Sequence, residues 1–231
     1  MPRRKKVNNK FEILALASHL FLVKGYSDTY VTEIGKRLNI SLGNLTFHFP
    51  TKEHLLADLA QHLCEYHQIT LELEVEEGRT SLLAYLLELT SMMAICEENE
   101  VAKDLYRQAY IHPMSLSIIR AADTTKAKMI FAQFCPDWDD TDFTLTENVV
   151  SGIEYASLMK ENAETLPLDS RIAKTLNVVM RIYNVPDEIR KAQIKKVLDM
   201  DYRRIGRQFI DGFVSYVEDI NAQVIKEAIK Q

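Results

Sequence analysis

Between Gly25 and Glu53 the sequence (GYSDTYVTEIGKRLNISLGNLTFHFPTKE) gathers side chains of the kind that meet nucleic acid. Lys36 and Arg37 stand between the apolar Ile34 and Leu38, as a solvated face or as phosphate contacts of a positioning helix. Asn44 can donate to and accept from an adenine edge; Thr46 can reach a phosphate or pack on a thymine methyl, and Leu42 can do the latter. Phe47 reads as core or as a flank to the backbone, and His48 as a histidine capping the end of a helix. Thr51 and Lys52 would open the next helix, where unpaired backbone N–H groups and an ammonium together clamp a phosphate.

Other chemistries find no comparable pattern. There is no G-x-S-x-G elbow and no Gly-rich phosphate loop. His62 and His67 are five apart, a poor spacing for one helical face. Asp137, Asp139, Asp140 and Asp142 lack the Gly and terminal Glu of a calcium loop. Cys64, Cys96 and Cys135 are odd in number and widely spaced, which suits buried thiols in a reducing cytoplasm. The chain therefore reads as no enzyme, with no catalytic residue, metal or cofactor.

The elements that position these residues are helices. Seven Gly and six Pro in 231 residues argue for long helices with brief joints, and no strand pattern competes. Residues 8–24 set Phe11, Leu14, Ala17, Ser18 and Phe21 on one face, and Gly25 ends that helix. Val31–Leu38 forms a short second helix, and Asn39–Ile40 a tight joint. Ser41 caps a third helix over about 42–48, which Phe49-Pro50 closes; Thr51 caps a fourth, running through Leu63 and Tyr66 to Leu73. Further helices are expected over 80–96, 99–111, 114–134, 144–163, 169–183 and 187–228, with a break near 200–202 and a loop at 135–142. Charge is split. Residues 1–60 carry nine Lys/Arg against five Asp/Glu, and the remainder nineteen against twenty-eight, a basic head on an acidic body. No secretory core is apparent, since Glu12, His19 and Lys24 interrupt the first apolar stretch, and no apolar run reaches the ~18 residues that span a bilayer.

Two helices of about seven residues cannot bury a core alone and need the first and fourth helices behind them, which is the geometry of a helix-turn-helix. In its ordered spacing the segment resembles the DNA-binding head of the TetR family of bacterial transcriptional regulators. The resemblance rests on Gly25, Thr29, Val31, Ile34, Ser41, Gly43, Leu45, Phe47, Phe49, Lys52, Glu53 and Leu56, with His48 before the Phe, about 45 residues in all. Gly35, Asn39, Thr46 and Pro50 depart from the family pattern. The resemblance implies an all-α fold with a helix-turn-helix domain over 1–50, basic tail 1–8 included, and a helical ligand-binding and dimerisation domain over 51–231. It also implies a homodimer on an inverted-repeat operator of double-stranded DNA, with His48 on a phosphate. Arg3, Arg4, Lys5 and Lys6 would follow the duplex or serve solubility alone.

In the body, Tyr85, Met92, Met93, Tyr106, Tyr110, Met114, Phe131 and Phe134 are candidate liners of an effector pocket, with Gln108 and His112 as polar additions. Their composition favours a small apolar or amphipathic effector. Val149 and Ile153, with Phe209, Phe213, Tyr216, Val217 and Ile220 of the last helix, are candidates for the dimer face or for their own core. The function implied is a ligand-responsive, sequence-specific regulator, a repressor released when effector shifts the fourth helix. The alternative is a regulator-like protein acting through a protein partner. Membrane association has no amphipathic anchor to support it.

Overall fold

A computed structural model describes residues 9–159 and 166–230. The basic tail, Arg3 to Lys6, and residues 160–163 of the helix expected over 144–163 lie outside the described residues. Among the described residues there are eleven α-helices and no strand.

Helices α1 (Asn9–Lys24), α2 (Val31–Leu38) and α3 (Leu42–His48) form the head. Their bounds follow from local chemistry. Gly25 takes φ +94°, a left-handed conformation open to glycine at no steric cost, and stops α1. Asn39 takes φ 54° at the end of α2, the left-handed turn its side chain tolerates. Ser41 caps α3 by accepting from the Asn44 N–H at 3.1 Å. Ile13, Ala17, Phe21, Ile34, Leu45 and Phe49 close the head's core.

Helix α4 (Lys52–Glu76) joins head to body and outruns the sequence expectation by a turn. Leu55, Leu56, Leu59, Leu63 and Leu71 hold its buried face. Helix α5 (Ser81–Glu98) is buried on nearly every side, from Leu82 to Cys96. Around it lie α6 (Glu100–Ile111), α7 (Pro113–Phe131), α8 (Asp140–Leu158), α9 (Leu168–Ile182), α10 (Asp187–Leu198) and α11 (Tyr202–Lys230). The expected loop at 135–142 is only half loop. Asp139 and Asp142 cap each other's backbone at the start of α8, so two of the acids are spent on opening a helix. Helix α11 lies closely along α5: a Cβ at Gly206 would come 3.1 Å from the Ser91 carbonyl oxygen, so the close crossing favours glycine.

Packing of α11 against α1, α4 and α5 corrects part of the expected dimer face. Phe213 and Val217 are fully buried in their own chain. Phe209 and Tyr216 pack on Tyr66, with ring centroids 5.0 and 5.2 Å away. The apolar stripe of α11 is used internally because α1 and α4 both need a cover. Ile220 is half-buried near its far end. On α8, by contrast, Leu145 and Val149 are 60% and 57% exposed, Ile153 is half-buried, and Gly152 and Ala156 complete an open face.

Candidate functional site

The head presents one face of α3 to solvent. Leu42, Gly43, Asn44, Thr46 and Phe47 are exposed, and Leu45 alone points into the core. Phe47 is 82% exposed, which corrects the reading of it as core; its ring meets the His48 ring edge-on at 5.2 Å. The Thr46 hydroxyl donates to the Leu42 carbonyl at 3.0 Å, so it is engaged within α3. Lys36 and Arg37 are exposed on α2. Arg37 is held by Glu33 at 2.8 Å, and Lys24 beside Glu33 holds that carboxyl below its usual range. Among the described residues Lys36 has no ion-pair partner, so it is the more available cation of the two.

Two expected phosphate ligands are placed differently. The Lys52 ammonium turns inward, donating to the Tyr26 carbonyl and lying 3.8 Å from the Tyr26 ring centroid. Burial lowers its pKa. A cation–π contact and a carbonyl acceptor satisfy it within the fold. Thr51 does not cap α4 with its side chain; its hydroxyl pairs with His54 Nδ1 at 3.0 Å.

A latch ties head to body. The Ser27 N–H and hydroxyl donate to the Asp104 carboxylate of α6 at 2.7 and 2.6 Å. Gln108 donates to both Ser27 Oγ and Asp104 at 3.3 Å. The His112 ring lies 5.6 Å from that of Tyr26. Gln108 and His112, expected in the pocket, are therefore occupied at this junction. Nothing in the spacing of the sequence marks Asp104 or Ser27, which are 77 residues apart and meet only through the fold. Asp104→Ala is expected to loosen the head from α6 at a cost of about 1 kcal/mol, the net worth of the lost hydrogen bonds, since water replaces the carboxylate at the exposed Ser27 donors. Hydrogen exchange at the Ser27 amide would report it, and unchanged protection there would show that the latch is unimportant.

Inside the body a cavity of about 30 Å³ lies among α4, α5, α6, α7 and α8. Of the eight expected liners, Tyr85, Met92, Tyr106 and Tyr110 reach it. Met93 is buried elsewhere on α5, and Met114 is 39% exposed. Phe131 stacks on Tyr183 with centroids 4.1 Å apart, and Phe134 is half-buried in the 3-10 turn after α7. Met114 and Phe131 miss because α7 turns its Ile119, Asp123 and Lys126 face to the cavity.

The cavity holds charge that sequence reading missed. Lys126, buried, meets Glu88 at 2.6 Å and Asp123 at 3.2 Å. Burial alone would lower its pKa, but the two carboxylates outweigh this and hold it above the ordinary lysine range. His67 Nδ1 lies 3.1 Å from Glu88, yet burial pushes the imidazole down to about 3, so the ring is neutral and the contact is no ion pair. Glu154 accepts from the Tyr85 and Tyr110 hydroxyls at 3.3 and 3.0 Å. Burial, aided by the Asp123 and Glu147 charges, keeps its pKa far above the usual range. The signal in sequence would have been Glu88, Asp123, Lys126 and Glu154 at core positions of otherwise apolar helices.

The family model of "Bacterial regulatory proteins, tetR family" matches residues 13–59, the head and the start of α4. A probable HTH-type transcriptional regulator of Bacillus subtilis, YttP, is 29% identical over 129 residues, 54% of this chain and 62% of that protein. The HTH-type transcriptional regulator QacR of Staphylococcus aureus is 43% identical over 53 residues, 23% of this chain and 28% of that protein. The chain thus spans less than two thirds of the length of these curated relatives. The crystal structure of RolR without ligand shares the fold, with TM-score 0.56 and 17% identity over 80% of this chain and 95% of that one.

Proposed function

Since the chain belongs, by residues 13–59, to the TetR family of bacterial regulatory proteins, we propose that it is a sequence-specific DNA-binding regulator, a repressor released from its operator by a small amphipathic effector. The observation that carries this reading is the outward face of α3, where Leu42, Asn44 and Phe47 stand clear of the core on a three-helix support. Residues 1–50 would form the DNA-binding domain and 51–231 the effector and dimerisation domain. Two heads on an inverted repeat require a two-fold dimer. The open apolar face of α8 at Leu145, Val149 and Ala156 supports a dimer contact there. Val149→Glu is expected to sediment as a monomer at micromolar concentration, and a dimer that persists would move the interface elsewhere.

Helix α6 offers a route from effector to DNA. Its Tyr106 and Tyr110 line the cavity, while its Asp104 and Gln108 grip the loop that carries the head. An effector that enlarges the cavity would push α6 and move its head. Helix α4 offers a second route, from Leu63, Cys64 and His67 at the cavity to Lys52 at Tyr26. The release requires two states with different effector affinity.

Protection of genomic fragments by the purified protein, at stated salt, tests this reading. Asn44→Ala is expected to lose about 1–3 kcal/mol at one base-pair position of a protected inverted repeat. Lys36→Ala is expected to weaken all sequences alike and to reduce the slope of log affinity on log salt by about 1. No protected site at low salt, after extraction of any bound small molecule, would sink the proposal.

A further inference from the structure

A cleft of about 600 Å³ opens to solvent between α4, α5 and α11, within the size range of small-molecule sites. Its apolar walls are Tyr66 and Leu71 of α4, Leu87 of α5, and Met200, Ile205 and Phe209 at the start of α11. The rings of Tyr66 and Phe209 lie with centroids 5.0 Å apart.

The α5 side of this cleft also carries polar groups that the fold leaves unsatisfied. Glu88 and Ser91 stand three residues apart on α5 and so share one face of the helix. Among the described residues neither Glu88 Oε2 nor Ser91 Oγ has a hydrogen-bond partner, and both atoms are closed to bulk water. Ser91 is 3% exposed. A helical serine or threonine can return its hydroxyl to the carbonyl four residues back, as Thr90 does to Leu86 at 2.7 Å. Ser91 does not do so. A buried hydroxyl and a buried carboxylate oxygen left open on one helix face form a costly arrangement that a ligand can relieve.

We propose that this cleft binds a neutral alcohol on an apolar chain. The ligand hydroxyl donates to Glu88 Oε2 and accepts from Ser91 Oγ, and its chain lies along Leu71, Leu87 and Ile205. The site is separate from the buried cavity among α4 to α8. Glu88 alone lines both, and α11, which walls the cleft, contributes no residue to the cavity. The inference therefore stands apart from the regulator reading and from the nature of its effector.

Charge selects the neutral form. Glu74, Glu77, Glu88 and Asp201 line the cleft against Arg79 and Arg204. Arg79 is held by Glu74 and Glu77, and Arg204 lies 3.5 Å from Asp201. An anionic head thus meets arginines already engaged and a buried carboxylate beyond them. A cationic head at Glu88 Oε2 would share that carboxylate with the Lys126 ammonium, which holds Oε1 at 2.6 Å, and two ammonium groups would crowd one buried acid. An ether accepts from Ser91 and leaves Glu88 Oε2 bare. A hydroxyl brings one donor, an acceptor and no charge, which is what the two open atoms require. Both atoms lie beneath the surface of the cleft, so its wall yields as the alcohol enters. Met200 is half-buried there, and its unbranched side chain is suited to that movement.

The test is calorimetry on the full chain without DNA, using octan-1-ol below its solubility limit, with 1-methoxyoctane, octanoate and octylammonium as comparators. Octanol is expected to bind saturably and at least about tenfold more tightly than each comparator. Ser91→Ala removes an unpartnered hydroxyl, so it is expected to keep or raise the thermal midpoint while losing about fivefold or more in octanol affinity. Tyr106→Phe removes an unpartnered hydroxyl from the cavity instead, and is expected to leave octanol affinity within about twofold. No saturable binding of octanol, or any comparator binding as tightly, would overturn the proposal. So would a folded Ser91→Ala chain with full octanol affinity, or a loss in Tyr106→Phe as large as that in Ser91→Ala, which would place the alcohol in the cavity. The ranking of the four probes is read on the unaltered protein and stays decisive if a variant does not fold.

Discussion

Lys126→Met is expected to destabilise the protein by about 3–5 kcal/mol, the usual cost of removing one partner from a buried charge cluster. The lysine side chain is 5% exposed, and those of Glu88 and Asp123 are 14% and 17% exposed. Methionine matches the stem in volume, so little of the loss would come from packing. The loss would come from two carboxylates left facing each other without a cation. Asp123 is already raised by burial and would be raised further, so it would take up a proton in the folded variant. Folded protein then binds more protons than unfolded, and stability of the variant falls as pH rises. The deficit against the unaltered chain is therefore expected to be smaller at pH 5 than at pH 8 in urea unfolding. Adding Glu88→Gln and Asp123→Asn to Lys126→Met should recover much of it, because an uncharged cluster has nothing to compensate. A deficit of a few tenths of a kcal/mol, independent of pH, would mean that the cluster is hydrated in solution.

The head was legible in the sequence, and the body was legible only as helices. Val31–Leu38 and Leu42–His48 are the bounds that spacing and capping predict, because Asn39, Ser41 and Pro50 act within a few residues of where they stand. Local chemistry fixes such elements, and local chemistry is what a sequence displays. Pairing across the fold is different. Lys52 reads as an outward cation at a helix start, but Tyr26 lies 26 residues away and takes the ammonium inward. Phe213 and Val217 keep helical spacing equally well for a dimer seam or a private core; the approach of α1 decides for the core. Met114 and Phe131 share composition with true cavity residues, yet which face of α7 meets the cavity depends on the angle at which it crosses α4 and α8. The acids of the cavity were overlooked for a related reason. Glu88 and Glu154 are ordinary surface residues until tertiary packing surrounds them, so only burial shows that they carry function or cost.

The same burial sets a second large effect, at Glu147. It is 1% exposed, Oε1 accepts from the Tyr183 hydroxyl, and among the described residues Oε2 has no hydrogen-bond partner. Burial and the Asp123 charge raise its pKa from 4.5 to about 7, against the lowering effect of the tyrosine bond. Between those values the folded state holds a proton that the unfolded state has lost. Stability therefore falls as pH rises from about 4.5 to about 7, and the full penalty, about 3 kcal/mol, stands above that range. Glu147→Gln removes the ionisation and keeps an oxygen for Tyr183. The variant is expected to match the unaltered chain near pH 4.5 and to exceed it by about 3 kcal/mol at pH 8. The difference between the two proteins cancels titrations common to both, so urea unfolding at the two pH values isolates Glu147. Relief should extend to Glu154, whose own pKa the Glu147 charge helps to raise. A gap that does not widen with pH would show that Glu147 is already ionised at neutral pH and finds a counter-charge through movement of α8 against α7.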